Sequence, residues 1–121
     1  MVKAPIPSRA SSKRTRPYSR QTREAALLLG QMIRAARIER AMSVRELGDR
    51  IGASRDLMQR IEQGDLRVGL GVAFEAAAVV GVPLFAAEPS RLASERAHLQ
   101  EKLSLLPKAV HKRASEVKDA F

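Results

Sequence analysis

The chain lacks cysteine and tryptophan, and only four of its 121 residues are aromatic. Without cysteine it can form neither a disulfide framework nor a thiolate metal site. Its core must therefore consist of aliphatic side chains and methionine, which favours packed helices over a β-sandwich. No apolar run approaches the ~18 residues of a transmembrane helix, and the first residues lack the apolar stretch of a secretory signal. We therefore expect a cytoplasmic protein with no membrane contact.

Positive charge is abundant, and it lies mainly outside the middle of the chain. The formal net charge is +9. Residues 1–24 contain seven basic groups and one acidic group, residues 25–88 contain eight of each sign, and residues 89–121 contain seven basic and four acidic groups.

Residues 1–22 are rich in Pro, Ser, Arg and Lys, and they cannot bury enough apolar surface to offset their ordering entropy. We predict that they form a disordered basic arm. It is either a solubilising tail or an arm that follows phosphates or enters a minor groove. Its proposed DNA-contacting residues are Lys13, Arg14, Arg16 and Arg20.

Residues 43–64 have the pattern of two short helices joined by a tight turn. Ser43 and Glu46 have the spacing of a capping box at the start of the first helix. Gly52 suits a turn with positive φ, and Ser54 can cap the second helix. Two short capped helices separated by such a turn indicate a DNA-binding helix-turn-helix.

Apolar residues at helical spacing predict further helices on both sides of this motif. The first covers residues 23–40, and another covers 70–80 and ends at Gly81. A turn into a short fifth helix is expected at residues 82–85. The predicted fold is all-α, with a five-helix domain over residues 23–88. The side chains that we expect to pack inward from the helix-turn-helix are Leu47, Ile51, Met58 and Ile61.

Residues 89–121 form a second predicted unit, a helix followed by a tail. Pro89 suits the first turn of a helix. One stripe of this helix covers about two heptads, too few for an extended coiled coil. Such a stripe must bury against its own domain, a second copy or another protein. The stripe contains Leu92, Arg96, Leu99, Leu103 and Leu106, and the residues assigned to partner binding are Leu99, Leu103, Leu106 and Phe121.

The pairs Leu29-Gly30, Ile33-Arg34, Ala36-Arg37 and Gly81-Val82, together with residues 43–64, resemble the Cro/repressor (XRE) helix-turn-helix family. The resemblance covers residues 29–85 without gaps. It implies that the third helix enters the major groove while the second lies across the DNA backbone. The resemblance implies a homodimer that binds double-stranded DNA at a palindromic operator. It also implies a protein associated with the nucleoid. No cofactor, metal ion or catalytic activity is implied.

The same resemblance places base-contacting side chains on the helix at residues 54–63. Arg55, Asp56 and Arg60 match the positions of such residues in the family, and Leu57 and Gln59 face outward beside them. Arginine can bridge O6 and N7 of guanine, and a carboxylate can accept from N4 of cytosine. For Asp56 three alternatives remain open: it contacts a base, it orients a neighbouring arginine, or it stabilises the helix dipole.

Phosphate contacts are expected at the start of the helix at residues 43–50, where free amides suit an anion. Many family members have glutamine where this chain has Val44. A second departure is the pair Gly69 and Gly71, which predicts a weak start for the helix at residues 70–80. The assigned phosphate-contacting residues are Ser43, Val44, Arg45, Ser54, Gln63 and Arg67.

Two further functional expectations come from resemblance. Arg37 and Glu62 match positions that form a partly buried salt bridge in similar repressors, so we assign them a structural role. Residues 101–110 and 117–121 resemble the tail of antitoxins that pair with Hip-type toxin kinases. This implies a repressor that binds its toxin and represses its own operon, with Phe121 either inserted into the toxin or packed on its own domain.

Other function classes are less well supported by the sequence. A stand-alone or phage-type repressor without a toxin is one alternative, and a non-enzymatic adaptor tethered to nucleic acid is another. An enzyme is the weakest hypothesis, because His98 and His111 are the only histidines and no catalytic or metal-ligand spacing is visible.

Overall fold

The computed structural model describes residues 17–85 and 88–110. These ranges contain five helices and no strand, which confirms the predicted all-α fold. The helices are α1 (Arg20–Glu39), α2 (Val44–Ile51), α3 (Arg55–Glu62), α4 (Leu70–Val80) and α5 (Pro89–Leu105).

Helix α1 begins at Arg20, three residues before the predicted start. Ser19 is extended and its side chain accepts a hydrogen bond from the Thr22 amide at 3.2 Å, so it caps the helix. Arg20, which we assigned to the arm, therefore lies in the first turn of α1. The other three arm residues, Lys13, Arg14 and Arg16, lie outside the described residues.

The helix-turn-helix forms at the predicted caps. Ser43 Oγ accepts from the Glu46 amide at 3.0 Å, while Glu46 Oε1 accepts from the Ser43 amide at 2.8 Å. These hydrogen bonds lower the pKa of Glu46 below its usual value. Gly52 ends α2 with a φ of 73°, and Ser54 Oγ accepts from the Leu57 amide at 3.1 Å to start α3. The capping box, the turn and the second cap are therefore all confirmed.

The four helices α1 to α4 enclose an aliphatic core. Helices α1 and α2 each contact both α3 and α4. Three of the four predicted inward residues of the helix-turn-helix are buried, whereas Ile51 is only half-buried. The buried apolar residues are Ile33, Leu47, Met58, Ile61, Ala76, Ala77, Val80 and Val82.

Two glycines allow the helices to approach closely. A Cβ atom on Gly30 would lie 2.6 Å from the backbone oxygen of Glu62, so α1 can contact the end of α3 only where α1 has no side chain. A Cβ atom on Gly48 would lie 2.7 Å from the carbonyl oxygen of Ala53 and 3.2 Å from Cγ of Met58. Both positions are sterically restricted to glycine because backbone atoms cannot move aside cheaply.

A buried ion pair joins α1 to α3. Arg37 Nε donates to Glu62 Oε2 at 2.7 Å, and Arg37 Nη2 donates to Glu62 Oε1 at 3.0 Å. A third donor, Nη1, binds the Met42 carbonyl at 2.9 Å and so fixes the loop before α2. The hydrogen bonds to Glu62 raise the pKa of Arg37. The predicted structural pairing is confirmed.

Residues 82–85 are not helical, so the short fifth helix predicted there was wrong. Gly81 has a φ of 80°, and the amides of Gly81 and Val82 donate to Ala78 and Ala77 in the pattern of a helix end. Pro83 has no amide proton and restricts Val82 to extended conformations. The chain therefore cannot continue as a helix immediately after α4.

The chain divides into two compact units between Val82 and Pro83, and α5 belongs to the second. Glu88 is the N-cap of α5, and Pro89 occupies its first turn as predicted. No residue of α5 is buried; Leu103, for example, is 60% exposed. Across the described ranges, no helix has the length and apolarity required to cross a membrane.

Candidate nucleic-acid interface

Helix α3 has one buried and one exposed face. Met58 and Ile61 fill the core, and a period of 3.6 residues then directs other positions outward. Of the five predicted base-contacting residues, Arg55, Asp56 and Gln59 are exposed, while Leu57 and Arg60 are half-buried. All five are therefore at least partly accessible.

The starts of α2 and α3 meet at a cleft of about 720 Å³, which we call the α2–α3 cleft. It brings together four of the predicted phosphate-contacting residues and one predicted base-contacting residue. Gln63 and Arg67 do not line it. The lining residues are Arg37, Ser43, Val44, Arg45, Gly48, Asp49, Ala53, Ser54 and Arg55.

Backbone amides at this cleft are free to bind an anion. The N-cap serines occupy one amide at each helix start, those of Glu46 and Leu57. Within the described residues, the amides of Val44 and Arg45 have no acceptor. Free amides at a helix N-terminus and the aligned peptide dipoles favour a bound phosphate. Val44 can therefore contribute through its backbone although it lacks the polar side chain of glutamine.

Two of the three arginines that line the cleft have no acidic partner in the part of the chain that the structure describes. Within residues 17–85 and 88–110, neither Arg45 nor Arg55 forms an ion pair. Arg37 also reaches the cleft, but its donors are occupied by Glu62 and Met42. The guanidinium groups of Arg45 and Arg55 are therefore available to pair with an external anion.

Arg60 and Asp56 form an exposed ion pair one turn apart on α3. The Nε atom of Arg60 lies 3.2 Å, and Nη2 3.1 Å, from the same oxygen of Asp56, Oδ2. The side chain of Asp56 is 77% exposed and that of Arg60 41% exposed. Asp56 thus contacts a neighbouring arginine, and its first-turn position on α3 also suits the helix dipole.

Arg67, a predicted phosphate contact, is paired with an acid that sequence analysis did not single out. Asp65 accepts from the Arg67 backbone amide at 2.8 Å and from its Nε and Nη2 at 3.2 and 3.0 Å. The hydrogen bonds from the Arg67 side chain, and to a smaller extent the one from its backbone amide, lower the pKa of the Asp65 carboxyl from 3.8 to about 2. The sequence could have indicated this contact. Asp65 follows the helix-ending Gly64, and an aspartate in a turn often accepts a hydrogen bond from the backbone amide two residues further along the chain.

Metal-ligating side chains do not cluster in the described part of the chain. No cluster of His, Cys, Asp and Glu there could hold a metal ion. His98 lies exposed on α5, and His111 lies outside the described residues. The polar groups at the α2–α3 cleft and on the outward face of α3 are amide and guanidinium donors with carboxylates between them.

The four packed helices and the α2–α3 cleft have the arrangement of an XRE-like helix-turn-helix domain. Residues 28–87, about half of the chain, match the family model described as "Helix-turn-helix domain". Comparison with curated proteins found no match, and comparison with solved structures found none either. The domain therefore indicates a DNA-binding regulator.

Proposed function

We propose that the protein is a sequence-specific transcriptional repressor that binds a palindromic operator as a homodimer. The observation that carries this proposal is the α2–α3 cleft, where free amides and the unpaired Arg45 and Arg55 adjoin the outward face of α3. In this arrangement α3 enters the major groove, and Arg55, Asp56, Leu57, Gln59 and Arg60 contact the bases.

Phosphate contacts would hold α3 in place. The amides of Val44 and Arg45 and the side chains of Ser43 and Ser54 suit one phosphate group at the cleft. Gln63, exposed at the end of α3, suits a neighbouring one. Arg67 would contribute Nη1, which its pair with Asp65 leaves unbound. Since residues 25–88 carry no net charge, the basic residues before α1 would supply much of the sequence-independent affinity.

A homodimer would place two copies of α3 in successive major grooves, about 34 Å apart. The exposed leucines of α5 and, within residues 82–85, the exposed Phe85 would supply apolar surface for this association. Analytical ultracentrifugation of the full chain tests it. Only monomer at high protein concentration would contradict binding to a palindrome.

Operator binding is tested by footprinting on DNA upstream of the protein's own gene at ~150 mM salt. The proposal expects a protected palindrome, and charge reversal of Arg55 and Arg60 should abolish the preference for it over random DNA. Arg91→Glu on α5 is the matched control and should leave protection unchanged. If reversal at Arg55 and Arg60 has no effect, an adaptor with a nucleic-acid tether replaces the repressor.

The proposal extends to the role of an antitoxin that binds a Hip-type toxin kinase and represses the operon encoding both. Support comes from the exposure of Leu99, Leu103 and Leu106 on a helix with no buried residue. Phe121, the suggested anchor, lies outside the described residues. A stand-alone or phage-type repressor would bind operator DNA equally well without a toxin.

A pull-down with the product of the adjacent gene separates these two roles. An antitoxin should retain a kinase-like protein, and deletion of Phe121 should weaken that interaction without changing operator binding. Absence of a kinase-like neighbour, or of any complex with it, would leave a repressor without a toxin.

A further inference from the structure

Asp56 occupies an electrostatically unfavourable position for a residue on a DNA-facing helix. Its carboxylate is 77% exposed on the outward face of α3, where it would approach phosphates of the same charge. Stabilisation of the α3 dipole would explain an acid in the first turn. It would not require a specific contact with the arginine one turn later.

The contact between Asp56 and Arg60 leaves defined groups available for DNA. Nε and Nη2 of Arg60 converge on the single oxygen Oδ2 of Asp56. Among the described residues nothing else binds this guanidinium, so Nη1 and one proton of Nη2 remain free. These two donors form the terminal edge of the guanidinium, which can bind O6 and N7 of guanine together. The second carboxylate oxygen of Asp56, Oδ1, remains an acceptor.

Restricting the arginine before it binds should strengthen its selectivity. A free arginine side chain has several rotatable bonds and can turn towards a phosphate as readily as towards a base. Asp56 limits this freedom, so less conformational entropy is lost when Arg60 meets a base edge. Arg55 has no ion pair within the described residues and keeps that freedom. The two arginines of α3 therefore differ in how strictly they are oriented.

We infer that Asp56 and Arg60 act as one recognition unit for a G·C-containing step of the operator. Arg60 binds a guanine through its terminal edge, Asp56 positions Arg60, and Asp56 Oδ1 accepts from N4 of a cytosine in an adjacent base pair. Asp56 is thus a specificity-determining residue. This inference rests on the proposed function, because it requires that α3 enters a major groove.

The test is selection of bound sequences from a random duplex library by the full-length protein, followed by sequencing. Wild type is compared with Asp56→Asn, Arg60→Ala, the double variant and Asp56→Glu, which retains a carboxylate able to reach Arg60. Glu95→Gln is the matched control, since it removes the acid of another exposed pair one turn apart, Arg91–Glu95 on α5. Circular dichroism establishes that each variant is folded.

We expect wild type to select a guanine at one position of each half-site with a cytosine beside it. Arg60→Ala should reduce the guanine preference about 10- to 100-fold. Asp56→Asn should reduce the guanine and cytosine preferences about tenfold each, and at the guanine position the double variant should lose little more than Arg60→Ala. Asp56→Glu should keep most of the preference, and Glu95→Gln all of it.

Two results would overturn the inference and leave the repressor intact. In one, Asp56→Asn selects the same sequences as wild type; in the other, it weakens binding equally at all positions, as a loss of helix stability would. A library from which wild type selects no sequence would instead refute sequence-specific binding itself. The two failures are therefore distinguishable.

Discussion

The domain formed by α1 to α4 and the helix α5 both carry apolar side chains at helical spacing, but only the domain buries some of them. Leu47 of α2 is fully buried, whereas Leu103 of α5 is 60% exposed. The difference lies in their neighbours, because α2 contacts both α3 and α4 while α5 has no buried residue. An apolar stripe indicates that a helix needs a partner, and only the fold shows whether one is present.

Ion pairs in the two regions differ in the same way. Arg37 and Glu62 form a bidentate pair with side chains only 10% and 9% exposed. Arg91 and Glu95 lie 3.8 Å apart on the surface of α5. Water screens the attraction within an exposed pair, whereas a buried charge that loses its partner has no water to replace it. Only the Arg37–Glu62 pair should therefore contribute strongly to stability.

The largest expected contrast concerns the two leucines. Leu47→Ala should lower the free energy of unfolding by about 2–5 kcal/mol, because it leaves a cavity in the core. Leu103→Ala should change it by less than about 0.5 kcal/mol in dilute protein, since it removes an already exposed side chain. Urea unfolding measures both. Equal losses in dilute protein would mean that α5 is packed within its own chain.

Next in size is the contrast between the ion pairs. Glu62→Ala should cost about 3 kcal/mol because it strands the Arg37 guanidinium in a nearly buried position. Glu95→Ala, the control, should cost no more than about 0.5 kcal/mol. Urea unfolding of both variants provides the comparison. A cost below about 1 kcal/mol for Glu62→Ala would show that water reaches Arg37 freely.

Two glycine substitutions should have opposite signs. Gly30→Ala should destabilise the domain by about 1–3 kcal/mol, because the new methyl group would overlap the α3 backbone. In Gly71→Ala the new Cβ would have no neighbour within 4 Å, so improved helix propensity should stabilise α4 by up to about 1 kcal/mol. Thermal unfolding measures both, and stabilisation by Gly30→Ala would refute the close α1–α3 contact.

The smallest expected effect is a pH dependence at Asp65. Because its pKa falls from 3.8 to about 2 on folding, the ionised carboxylate stabilises the domain above about pH 4. That contribution is lost as the pH falls towards 2. Asp65→Asn should therefore lose less thermal stability than wild type between pH 5 and pH 2. An identical pH response in the two proteins would contradict pairing of Asp65 with Arg67 in solution.

Local interactions explain why much of the helix-turn-helix could be predicted. The contacts of Ser43 with Glu46 and of Ser54 with Leu57 join residues three apart, and Gly52 needs only its own backbone freedom. Residue types at such short spacing determine these features almost independently of the remaining fold. The exposed positions of α3 follow from the same helical period.

Contacts between distant residues decided the rest. Only the fold separates buried Ile33 from Leu28, which is 56% exposed on the same helix, because α3 and α4 cover one side of α1. Residue spacing alone likewise gives no sign that Arg37 reaches Glu62, which lies 25 residues further along the chain. By itself the sequence determined the caps, the turn and the helical class, whose interactions span a few residues. The tertiary structure decided burial and the pairing of Arg37 with Glu62, which depend on residues far apart along the chain.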